Sequence, residues 1–556
     1  MRRAWIGLLG GLMLLALSPV NAETARGTVF EDRNGNGLRD PGESGVKGVA
    51  VSNGSEVVAT GQDGGYEIEL RPGDVLFVTK PSGYAVPVNR DNLPRFHYVH
   101  EPGGSPDSLG LRYEGVRPTG PLPEAIDFPL TPVEEPERFD VILFADPQPQ
   151  ADAEVTFIRD DVVEELIGVD AAFGLTLGDI MYDDLSLLPR YNRIVAKIGI
   201  PWYNVPGNHD LNYLAPDDDS SLETFKRVFG PTYFSFDVGR AHFVVLDTVY
   251  YHGSGEGFEE PQPRGQGSYE GRISERQLRW LANDLERVPR DRLIVLAMHI
   301  PLISFNRSDN PARRVGNRED LFALLEGRRY LLAVAGHMHT TEHHYFGPEE
   351  GFHGHEPLHL HVISTVSGSW WSGPFDERGI PTTVQRDGTP NGFHVLAVDG
   401  NRARVRFQAA GKPADHQMRI MLDSTFHRYS ENVLRDTRMG ELLGSPITSE
   451  QAAAAEVLVN LFDGGPNSRV VLRVGEGLPV EMKRVARSDP YVEELFRRHA
   501  ETIKSWVKPE PSSHLWVAPL PPGLAAGAHT LSVRAEDEYG AVHEGSRVIE
   551  IVAPVE

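Results

Sequence analysis

The sequence contains no cysteine among its 556 residues. Disulfide bonds, a cysteine nucleophile and a lipid attached through cysteine are therefore excluded. An oxidising compartment remains compatible with the chain, because no thiol has to be kept reduced. The sequence also lacks any evident internal repeat, so a solenoid or a repeat array is not expected.

Basic residues are scarce relative to acidic ones. Lys and Arg number 54 against 79 Asp and Glu, and the formal net charge is -25. A duplex nucleic acid is bound through clustered Lys and Arg, so the sequence argues against such a partner. A phosphate substrate stays compatible with this charge, since bound metal ions supply positive charge locally.

Long apolar runs are absent beyond the N-terminus. Residues 1–22 combine a charged start, an apolar run from Ile6 to Leu17 and the small-residue site Val20-Asn21-Ala22, which predicts a secretory signal peptide. The alternative is a membrane anchor, but a span needs about 20 apolar residues. We therefore expect an exported chain, periplasmic or secreted, with no transmembrane segment. The export route and the oligomeric state stay open.

The pattern of strands, turns and helices divides the mature chain into three parts, in line with about 150 residues per domain. Residues 23–136 alternate short β-like runs with Gly, Asn and Asp turns and end in a Pro-rich linker, which predicts a small β-sandwich. Residues 137–450 alternate buried strands with helical patterns and predict a layered α/β domain. Residues 451–556 are mostly β, apart from a helical pattern from Pro490 to Trp506, and predict a second β-sandwich.

Polar residues follow the predicted strands of the α/β domain, at the edge where ligands gather in such sheets. In chain order the groups are Asp146-Pro147-Gln148, Gly178-Asp179, Gly207-Asn208-His209-Asp210, His299 and Gly336-His337-Met338-His339. Each group alone has an ordinary explanation, since a strand-end Asp commonly caps a helix and a His beside an apolar run commonly packs in a core. Together they favour a metal centre, because carboxylate and imidazole ligands suit Zn, Fe and Mn.

With these motifs, residues 139–408 resemble the calcineurin-like metallophosphoesterase superfamily, whose pattern is Asp-x-His, Gly-Asp, Gly-Asn-His-Asp/Glu, an isolated His and Gly-His-x-His. A closer likeness, carried by residues 96–100, 368–371 and 387–392, is to bacterial members with extra N-terminal and C-terminal β-domains. The resemblance implies an α/β fold, a four-layer metallophosphoesterase β-sandwich flanked by helices, between two all-β sandwich domains. It also implies two metal ions at the edge of the four-layer sandwich.

The resemblance implies that seven residues of this chain hold the two ions, divalent or trivalent, which we expect to be Mn, Fe or Zn. The first ion takes Asp146, Gln148 and His339; Asp179 bridges both ions; the second ion takes Asn208, His299 and His337. Gln148 stands where the superfamily usually has His. Its amide oxygen is a weaker ligand that favours harder ions, so we expect the first ion to be held loosely or to be Mn or Mg rather than Zn.

His209 is then left without a metal and faces the substrate, oriented by Asp210. The resemblance implies hydrolysis of a small-molecule phosphate ester, a monoester or a diester, by a hydroxide that bridges the two ions. His209 would stabilise charge on the phosphoryl group or protonate the departing alkoxide. The alternative is a catalytically weakened scaffold whose β-domains bind a surface or a partner.

Several residues near the motifs are candidates for substrate binding, although packing and capping explain each of them equally well. Tyr182, Trp370 and Trp371 are the main candidates, and the same two explanations apply to Asp183, Asp184, Tyr203 and Asn306. The six histidines between His343 and His361 could supply a third metal or bind phosphate, but we expect them to lie in a solvated loop.

The N-terminal segment carries the pattern of a calcium-binding loop, Asp-x-Asn-x-Asn-Gly with Glu at position twelve. The predicted ligands are Asp32, Asn34, Asn36, Asp40 and Glu43, and Gly37 stands at the sharp turn. No helix pattern flanks the loop, and the segment resembles the B-type repeats of bacterial surface adhesins, which bind calcium structurally. The alternative is an ordinary turn of Asn and Gly; the pattern favours a structural calcium ion.

Overall fold

A computed structural model describes residues 22–254, 268–306, 308–422 and 446–553. The predicted signal peptide, apart from Ala22, lies outside these ranges. Within the described ranges, no helix combines the length and the apolar composition that crossing a membrane requires.

The N-terminal segment forms two small sheets that share one core. Its strands are β1 (Glu23–Glu31), β2 (Ala50–Ser52), β3 (Val57–Ala59), β4 (Gly65–Leu70), β5 (Val75–Val78), β6 (Tyr84–Ala85), β7 (His97–Val99) and β8 (Phe128–Pro132). The sheets have the orders β4-β1-β8-β6 and β3-β2-β5-β7. Alternate residues such as Ala25 and Val29 of β1 are buried together with Val51 and Leu76 of the other sheet. This alternation is typical of strands with one face against a core.

The central segment forms two larger sheets and one hairpin. Its strands are β9 (Arg138–Phe144), β10 (Phe173–Leu177), β11 (Trp202–Val205), β12 (Phe234–Val238), β13 (Ala241–Leu246), β14 (Val249–Tyr251), β15 (Tyr269–Gly271), β16 (Leu293–Met298), β17 (Leu331–Ala335), β18 (Glu342–Phe346), β19 (Leu358–Val362), β20 (Gly392–Asp399) and β21 (Arg402–Ala409). The two sheets have the orders β11-β10-β9-β20-β21 and β12-β13-β16-β17-β19-β18.

Helices cover the outer faces of these two sheets. They are α1 (Asp152–Ile158), α2 (Glu164–Leu166), α3 (Leu188–Val195), α4 (Asp218–Ser221), α5 (Glu223–Phe229), α6 (Glu275–Leu285) and α7 (Arg318–Leu325). In β9, Val141 and Leu143 share a core with the second sheet, whereas Ile142 and Phe144 pack with α1 to α3. On the far side, α6 and α7 pack on the second sheet through apolar residues such as Trp280. The order helix, sheet, sheet, helix confirms the predicted four layers.

The C-terminal segment forms a second sandwich around a separate core. Its elements are β22 (Met418–Leu422), β23 (Ile447–Thr448), α8 (Ser449–Ala453), β24 (Glu456–Leu461), β25 (Arg469–Val474), β26 (Val480–Glu481), β27 (Lys483–Ser488), α9 (Pro490–Arg498), β28 (Pro511–Pro519), β29 (Gly527–Glu536) and β30 (Val542–Val552). The sheet orders are β22-β24-β28-β27 and β23-β30-β29-β25-β26. Strand β22 therefore belongs to this sandwich, although it precedes the predicted domain boundary at 450/451.

Candidate metal centre

The predicted ligands lie where parallel strands end. Strand β9 runs parallel to β10, and β10 runs parallel to β11; in the other sheet β16 runs parallel to β17. Each of these five strands is followed within three residues by one predicted ligand group. Because the carboxyl ends of parallel strands meet at one edge, groups far apart in sequence come together there.

One group of donor atoms surrounds Nε2 of His299. This nitrogen lies 3.2 Å from Oδ1 of Asp179, 3.0 Å from Oδ1 of Asn208 and 3.2 Å from Nδ1 of His337. Donors bound to one ion at about 2.0–2.2 Å lie roughly 3.0–3.5 Å apart. These four residues therefore fit the shell of a single metal ion, and they are the set expected for the bridging and second-metal ligands.

A second group lies on the other side of Asp179. Its Oδ2 accepts a hydrogen bond from Nε2 of Gln148 at 2.5 Å, and Oδ1 of Asp146 lies 3.6 Å from Nε2 of His339. Oε1 of Gln148 is buried and has no hydrogen-bond partner. A buried acceptor without a partner is costly, so a cation beside this amide fits the site. The structure thus brings all seven predicted ligands together in two groups that share Asp179.

The ring orientations of the three histidines also suit metal binding. Nδ1 of His299 contacts the carbonyl oxygen of Leu177 at 2.8 Å, Nε2 of His337 contacts that of Ala312 at 2.9 Å, and Nδ1 of His339 contacts that of Gly368 at 2.8 Å. Histidines that bind metals usually donate their other ring N–H in this way, which fixes the ring and the tautomer. The other ring nitrogen faces the donor groups: Nε2 of His299 faces Asp179, Nε2 of His339 faces Asp146, and Nδ1 of His337 faces Nε2 of His299.

The backbone at this edge is strained. Among the described residues, nine non-glycine residues have a positive φ, and eight of them belong to the site or lie beside it: Asp146, Gln148, Asp179, Asp183, His337, His339, Trp370 and Trp371. Such conformations cost about 1–3 kcal/mol each and cluster at functional sites. The motif glycines permit close approach, because a Cβ on Gly178 would lie 2.5 Å from the ring of His299.

The two acidic ligands, Asp146 and Asp179, are buried. Asp146 and Asp179 are 0% and 2% exposed, and among the described residues neither forms an ion pair with Lys or Arg. Burial raises the pKa of Asp146 to about 8. Burial opposes ionisation of Asp179 as well, but His299, His209 and His337 together outweigh it and hold the pKa of Asp179 below its ordinary value. Two buried carboxylates need a compensating positive charge, which bound cations would provide.

The histidine ligands differ in their protonation. Burial lowers the pKa of His339 to about 3, and burial together with the charge of His299 lowers the pKa of His337 well below its ordinary value. Burial would also lower the pKa of His299, but the neighbouring Asp179 raises it to about 9. His337 and His339 are thus neutral at neutral pH, which is the form in which imidazole binds a metal.

His209 lies beside the donor groups and is held by neighbours other than the predicted one. Its Nδ1 contacts Oδ1 of Asp183 at 2.6 Å, and the ring of Tyr182 stacks on its ring at 4.3 Å. Its backbone N–H donates to Oδ1 of Asp179 at 2.8 Å. Burial opposes protonation of His209, but Asp179 and Asp183 raise its pKa to about 9.

The prediction that Asp210 orients His209 is wrong. Residues Asn208–Asp210 form a 3-10 turn, in which the side chain of Asp210 is buried and accepts from the backbone N–H groups of Ile180, Met181 and Gly207 at 2.9–3.1 Å. The consecutive side chains of the turn point in different directions, so adjacency in sequence does not bring these two together. The orienting residue is Asp183, which follows the Gly178-Asp179 motif closely in the sequence.

The three aromatic candidates for substrate binding differ in position. Tyr182 stacks on His209, and Trp370 stacks on His339 with ring centroids 3.9 Å apart. Trp371 is 3% exposed and donates from Nε1 to the carbonyl oxygen of Pro147 at 2.8 Å. It therefore supports the loop that carries Asp146 and Gln148, and its prediction as a substrate-binding residue is wrong, because the side chain has no open surface.

The other candidates serve packing and capping. Tyr203 stacks on Phe236 in the core at 4.1 Å. Asp184 caps a 3-10 turn by accepting from the backbone N–H of Ser186. Asn306 donates to the carbonyl oxygen of Pro511 at 3.0 Å.

One residue near the site was missed by the sequence reasoning. Trp506, from the C-terminal segment, is 48% exposed, and its ring lies 6.4 Å from the ring of Tyr182. Lys504 ties the same stretch to the α/β domain through an ion pair with Glu154 at 2.7 Å. The helical pattern of this stretch carried no sign of the contact, because the partner residues are distant in sequence.

The predicted calcium ligands lie together in one turn. Asp32 accepts from the backbone N–H groups of Gly35, Asn36 and Gly37 at 2.8–3.1 Å, and Glu43 accepts from those of Arg33 and Asp40 at 3.0 Å and 2.9 Å. Asn34 and Asn36 both donate to Oδ2 of Asp40. The loop is thus closed by its own oxygen-bearing side chains, and calcium binding stays a prediction.

A cavity of about 580 Å³ lies between the N-terminal sandwich and the α/β domain, away from the predicted ligands. Its wall carries seven acidic side chains, among them Asp74, Glu101, Asp217 and Glu223, against three basic ones. An anionic phosphate ester is repelled by such a wall. The cavity is therefore a poor place for the substrate.

Comparisons with known proteins agree with this geometry. Residues 139–341 match the family model described as "Calcineurin-like phosphoesterase". Residues 33–112 match "N terminal of Calcineurin-like phosphoesterase", and residues 360–543 match "C terminal of Calcineurin-like phosphoesterase".

Two curated relatives match shorter stretches. "Acid phosphatase type 7" of Mus musculus is 23% identical over 208 residues, which cover 34% of this chain and 42% of that protein. "Cell division control protein 1" of Saccharomyces cerevisiae is 39% identical over 62 residues, which cover 11% of this chain and 13% of that protein. The chain therefore spans less than half the length of either relative.

Among solved structures, a purple acid phosphatase isolated from yellow lupin (Lupinus luteus) seeds matches 70% of this chain and 67% of its own, at 14% identity and a TM-score of 0.35.

Proposed function

The chain belongs to the calcineurin-like phosphoesterase family, and from this premise we propose that it hydrolyses small phosphate esters, monoesters or diesters, at a centre of two metal ions. The observation that carries the proposal is the pair of donor groups that share Asp179, with His209 beside them. Bound ions would supply the Lewis-acid charge that activates water and neutralises phosphoryl oxygens.

The residues of the chain would hold the two ions and fix their positions. Asp146, Gln148 and His339 would hold one ion, and Asn208, His299 and His337 would hold the other, with Asp179 between them. The contacts of the three histidine rings with carbonyl oxygens hold these donors in place before the substrate arrives, which reduces the reorganisation that the reaction requires.

His209 would act on the substrate directly. Its ring belongs to neither donor group, and Asp183 fixes the ring through Nδ1. Nε2 is then left to hydrogen-bond a phosphoryl oxygen or to transfer a proton to the leaving oxygen. Asp183 stabilises the imidazolium form that such a transfer requires.

The test uses the purified mature chain loaded with Mn, Zn or Fe and assayed on bis- and mono-nitrophenyl phosphate. We expect activity on at least one substrate and at least two bound ions per chain. Asp179→Asn should lose two ions and the activity, whereas the exposed Asp170→Asn should keep the full metal content and the activity. Two bound ions without activity on either substrate would overturn the proposal and favour the catalytically weakened scaffold.

We also propose that the enzyme is exported, with residues 1–22 as a cleaved signal peptide. The full chain, expressed in a bacterial host and fractionated, should be found outside the cytoplasm with Glu23 as its first residue by intact mass. A chain that lacks residues 2–22 should stay in the cytoplasm. Retention of the full chain in the cytoplasm at its uncleaved mass would contradict export.

A further inference from the structure

A second cluster of buried histidines lies between the α/β domain and the C-terminal sandwich. His343 on β18, His361 on β19 and His394 on β20 all direct Nε2 toward Oδ1 of Asp463. The distances are 3.6 Å, 2.8 Å and 3.5 Å in that order. The prediction of a solvated loop is wrong for His343 and His361, because they lie on paired strands, directly opposite each other.

The donor atoms are close enough to share one ion: those of His343, His361 and Asp463 all lie within 4.8 Å of one another, and Nε2 of His394 lies 3.5 Å from Oδ1 of Asp463. With metal–ligand bonds of about 2.0–2.1 Å, the corners of a tetrahedron lie about 3.3 Å apart. The distances from Oδ1 of Asp463 to Nε2 of His343 and to Nε2 of His394, 3.6 Å and 3.5 Å, are close to this edge length. The shorter contact with His361 is a hydrogen bond, which would open by about 0.5 Å around an ion.

Two of the nitrogens that face Asp463 need a partner. Nε2 of His343 and Nε2 of His394 are buried and accept or donate no hydrogen bond, and both side chains are 0% exposed. Leaving a buried polar atom unsatisfied costs about 1–3 kcal/mol. One cation at the centre of the cluster would satisfy both atoms and would balance the charge of Asp463, whose ion pairs among the described residues are all with these histidines.

The surrounding contacts hold the rings in position. Nδ1 of His343 lies 3.0 Å from Nε2 of His359, and Nδ1 of His361 lies 3.1 Å from the hydroxyl of Tyr539. Such contacts through the other ring nitrogen are typical of metal-binding histidines. His394 lacks this contact, and its ring packs against that of Phe407 with centroids 5.3 Å apart.

The loop that carries Asp463 approaches the histidines closely. A Cβ on Gly465 would lie 2.8 Å from Cβ of His343 and 2.7 Å from Oε1 of Glu538. Only glycine fits at this position without a shift of its neighbours, and the close approach places Asp463 against the three rings. The loop follows β24, so the cluster joins two domains.

We propose that His343, His361, His394 and Asp463 bind one structural divalent metal ion, with zinc preferred, that fastens the C-terminal sandwich to the α/β domain. Three imidazoles and one carboxylate are ligands that zinc accepts, and four protein ligands leave no open position for a substrate. The ion would be separate from the catalytic pair and would stabilise the contact between domains.

The test counts metal in a background that lacks the catalytic ions. Asp179→Asn protein, stripped with chelator and dialysed against zinc, should retain about one zinc per chain by elemental analysis. With cobalt in place of zinc, it should show the strong visible d–d absorption of a tetrahedral site. Adding zinc should also raise its melting temperature.

Matched variants assign the ion to this cluster. Adding His394→Gln or Asp463→Asn to Asp179→Asn should remove about one equivalent of zinc and the cobalt band, while adding His353→Gln, an exposed histidine of the same tract, should change neither. Circular dichroism shows whether each variant folds. If Asp463→Asn does not fold, the zinc content of His394→Gln protein decides the test. Absence of zinc from the Asp179→Asn protein, or its retention in folded His394→Gln protein, would overturn the proposal. Phosphatase activity does not enter this test, so the two proposals can fail separately.

Discussion

His209 and its two acidic neighbours show how single residues divide the work of the site. Asp183 contacts the ring of His209, while Asp210 accepts three backbone hydrogen bonds and does not touch the ring. The first is therefore a positioning residue for the chemistry, and the second organises the loops that carry Asp179 and Asn208. Substitution of Asp183 should therefore change the kinetics, whereas substitution of Asp210 should mainly change the stability of the fold.

We expect His209→Ala to lower kcat by about 10²–10⁴-fold with near-normal metal content, because it removes a proton donor but no ligand. Asp183→Asn should lower kcat less and should change the pH profile of kcat, and Asp183→Glu should recover part of the loss. Steady-state kinetics and elemental analysis measure both effects. Equal loss of both metals in His209→Ala would contradict this assignment.

Asp210→Asn should mainly destabilise the chain. It weakens charged hydrogen bonds to buried backbone N–H groups, each of which contributes about 1.5–3 kcal/mol. A lower melting temperature with a smaller effect on kcat than His209→Ala is expected. If Asp210→Asn protein has an unchanged melting temperature and a kcat as low as that of His209→Ala, then Asp210 has the catalytic role that the sequence predicted.

At the scale of elements, the contact of β12, β13 and α6 contains a buried charged triad. His242 contacts Asp237 through Nδ1 at 2.7 Å and Asp284 of α6 through Nε2 at 2.8 Å. Burial opposes protonation of His242, but Asp284 and Asp237 raise its pKa to about 9. The folded chain therefore favours the protonated ring more than the unfolded chain does. This stability is fully present below about pH 6.5 and is lost as the pH rises toward about 9.

The melting temperature should accordingly fall more steeply between pH 6.5 and pH 9 in the wild type than in His242→Gln. The free energy of unfolding that is lost over this range is roughly 1–3 kcal/mol, because a tenfold change in proton affinity corresponds to about 1.4 kcal/mol. His252→Gln, which removes an exposed histidine, should keep the wild-type slope. Identical slopes for the wild type and His242→Gln would contradict the argument.

The turn from Asp32 to Glu43 is the second element with a testable property. If its oxygens bind calcium, a saturating concentration should raise the melting temperature of the N-terminal sandwich by about 4 °C or more, because the ion binds only the folded loop. Glu43→Ala should abolish the shift, and Glu56→Ala, at an exposed position, should preserve it. If calcium does not change the melting temperature of the wild type, the segment is an ordinary turn of Asn and Gly.

At the scale of the whole molecule, the C-terminal segment contributes to the surface around the candidate metal centre. Trp506 approaches Tyr182, which stacks on His209. Trp506→Ala should raise KM for aromatic phosphate esters by about 2- to 12-fold, the equivalent of an aromatic contact of about 0.5–1.5 kcal/mol. We expect kcat to change little, since Trp506 touches no donor group. Leu478→Ala, at an 88% exposed position of the same domain, is the control, and a fall in kcat at constant KM would contradict this role.

The ligand types, their order along the chain and the layered α/β class could all be predicted from the sequence alone. These features are local: a buried strand such as β9 is a continuous apolar run, and the polar group that follows it must lie at the sheet edge. The family likeness then ordered the groups around two ions. Departures such as Gln148 could also be read directly from the sequence.

Which side chains contact one another could not be predicted, because it depends on the folded chain. Asp183 rather than Asp210 holds His209, Trp371 is buried, β22 joins the C-terminal sandwich, and Asp463 meets three histidines from two sheets. Strand pairing and domain contacts join residues that are far apart in the chain, and the direction of a side chain in a turn depends on its dihedral angles. Neither property has a local pattern, because both depend on packing across the whole fold.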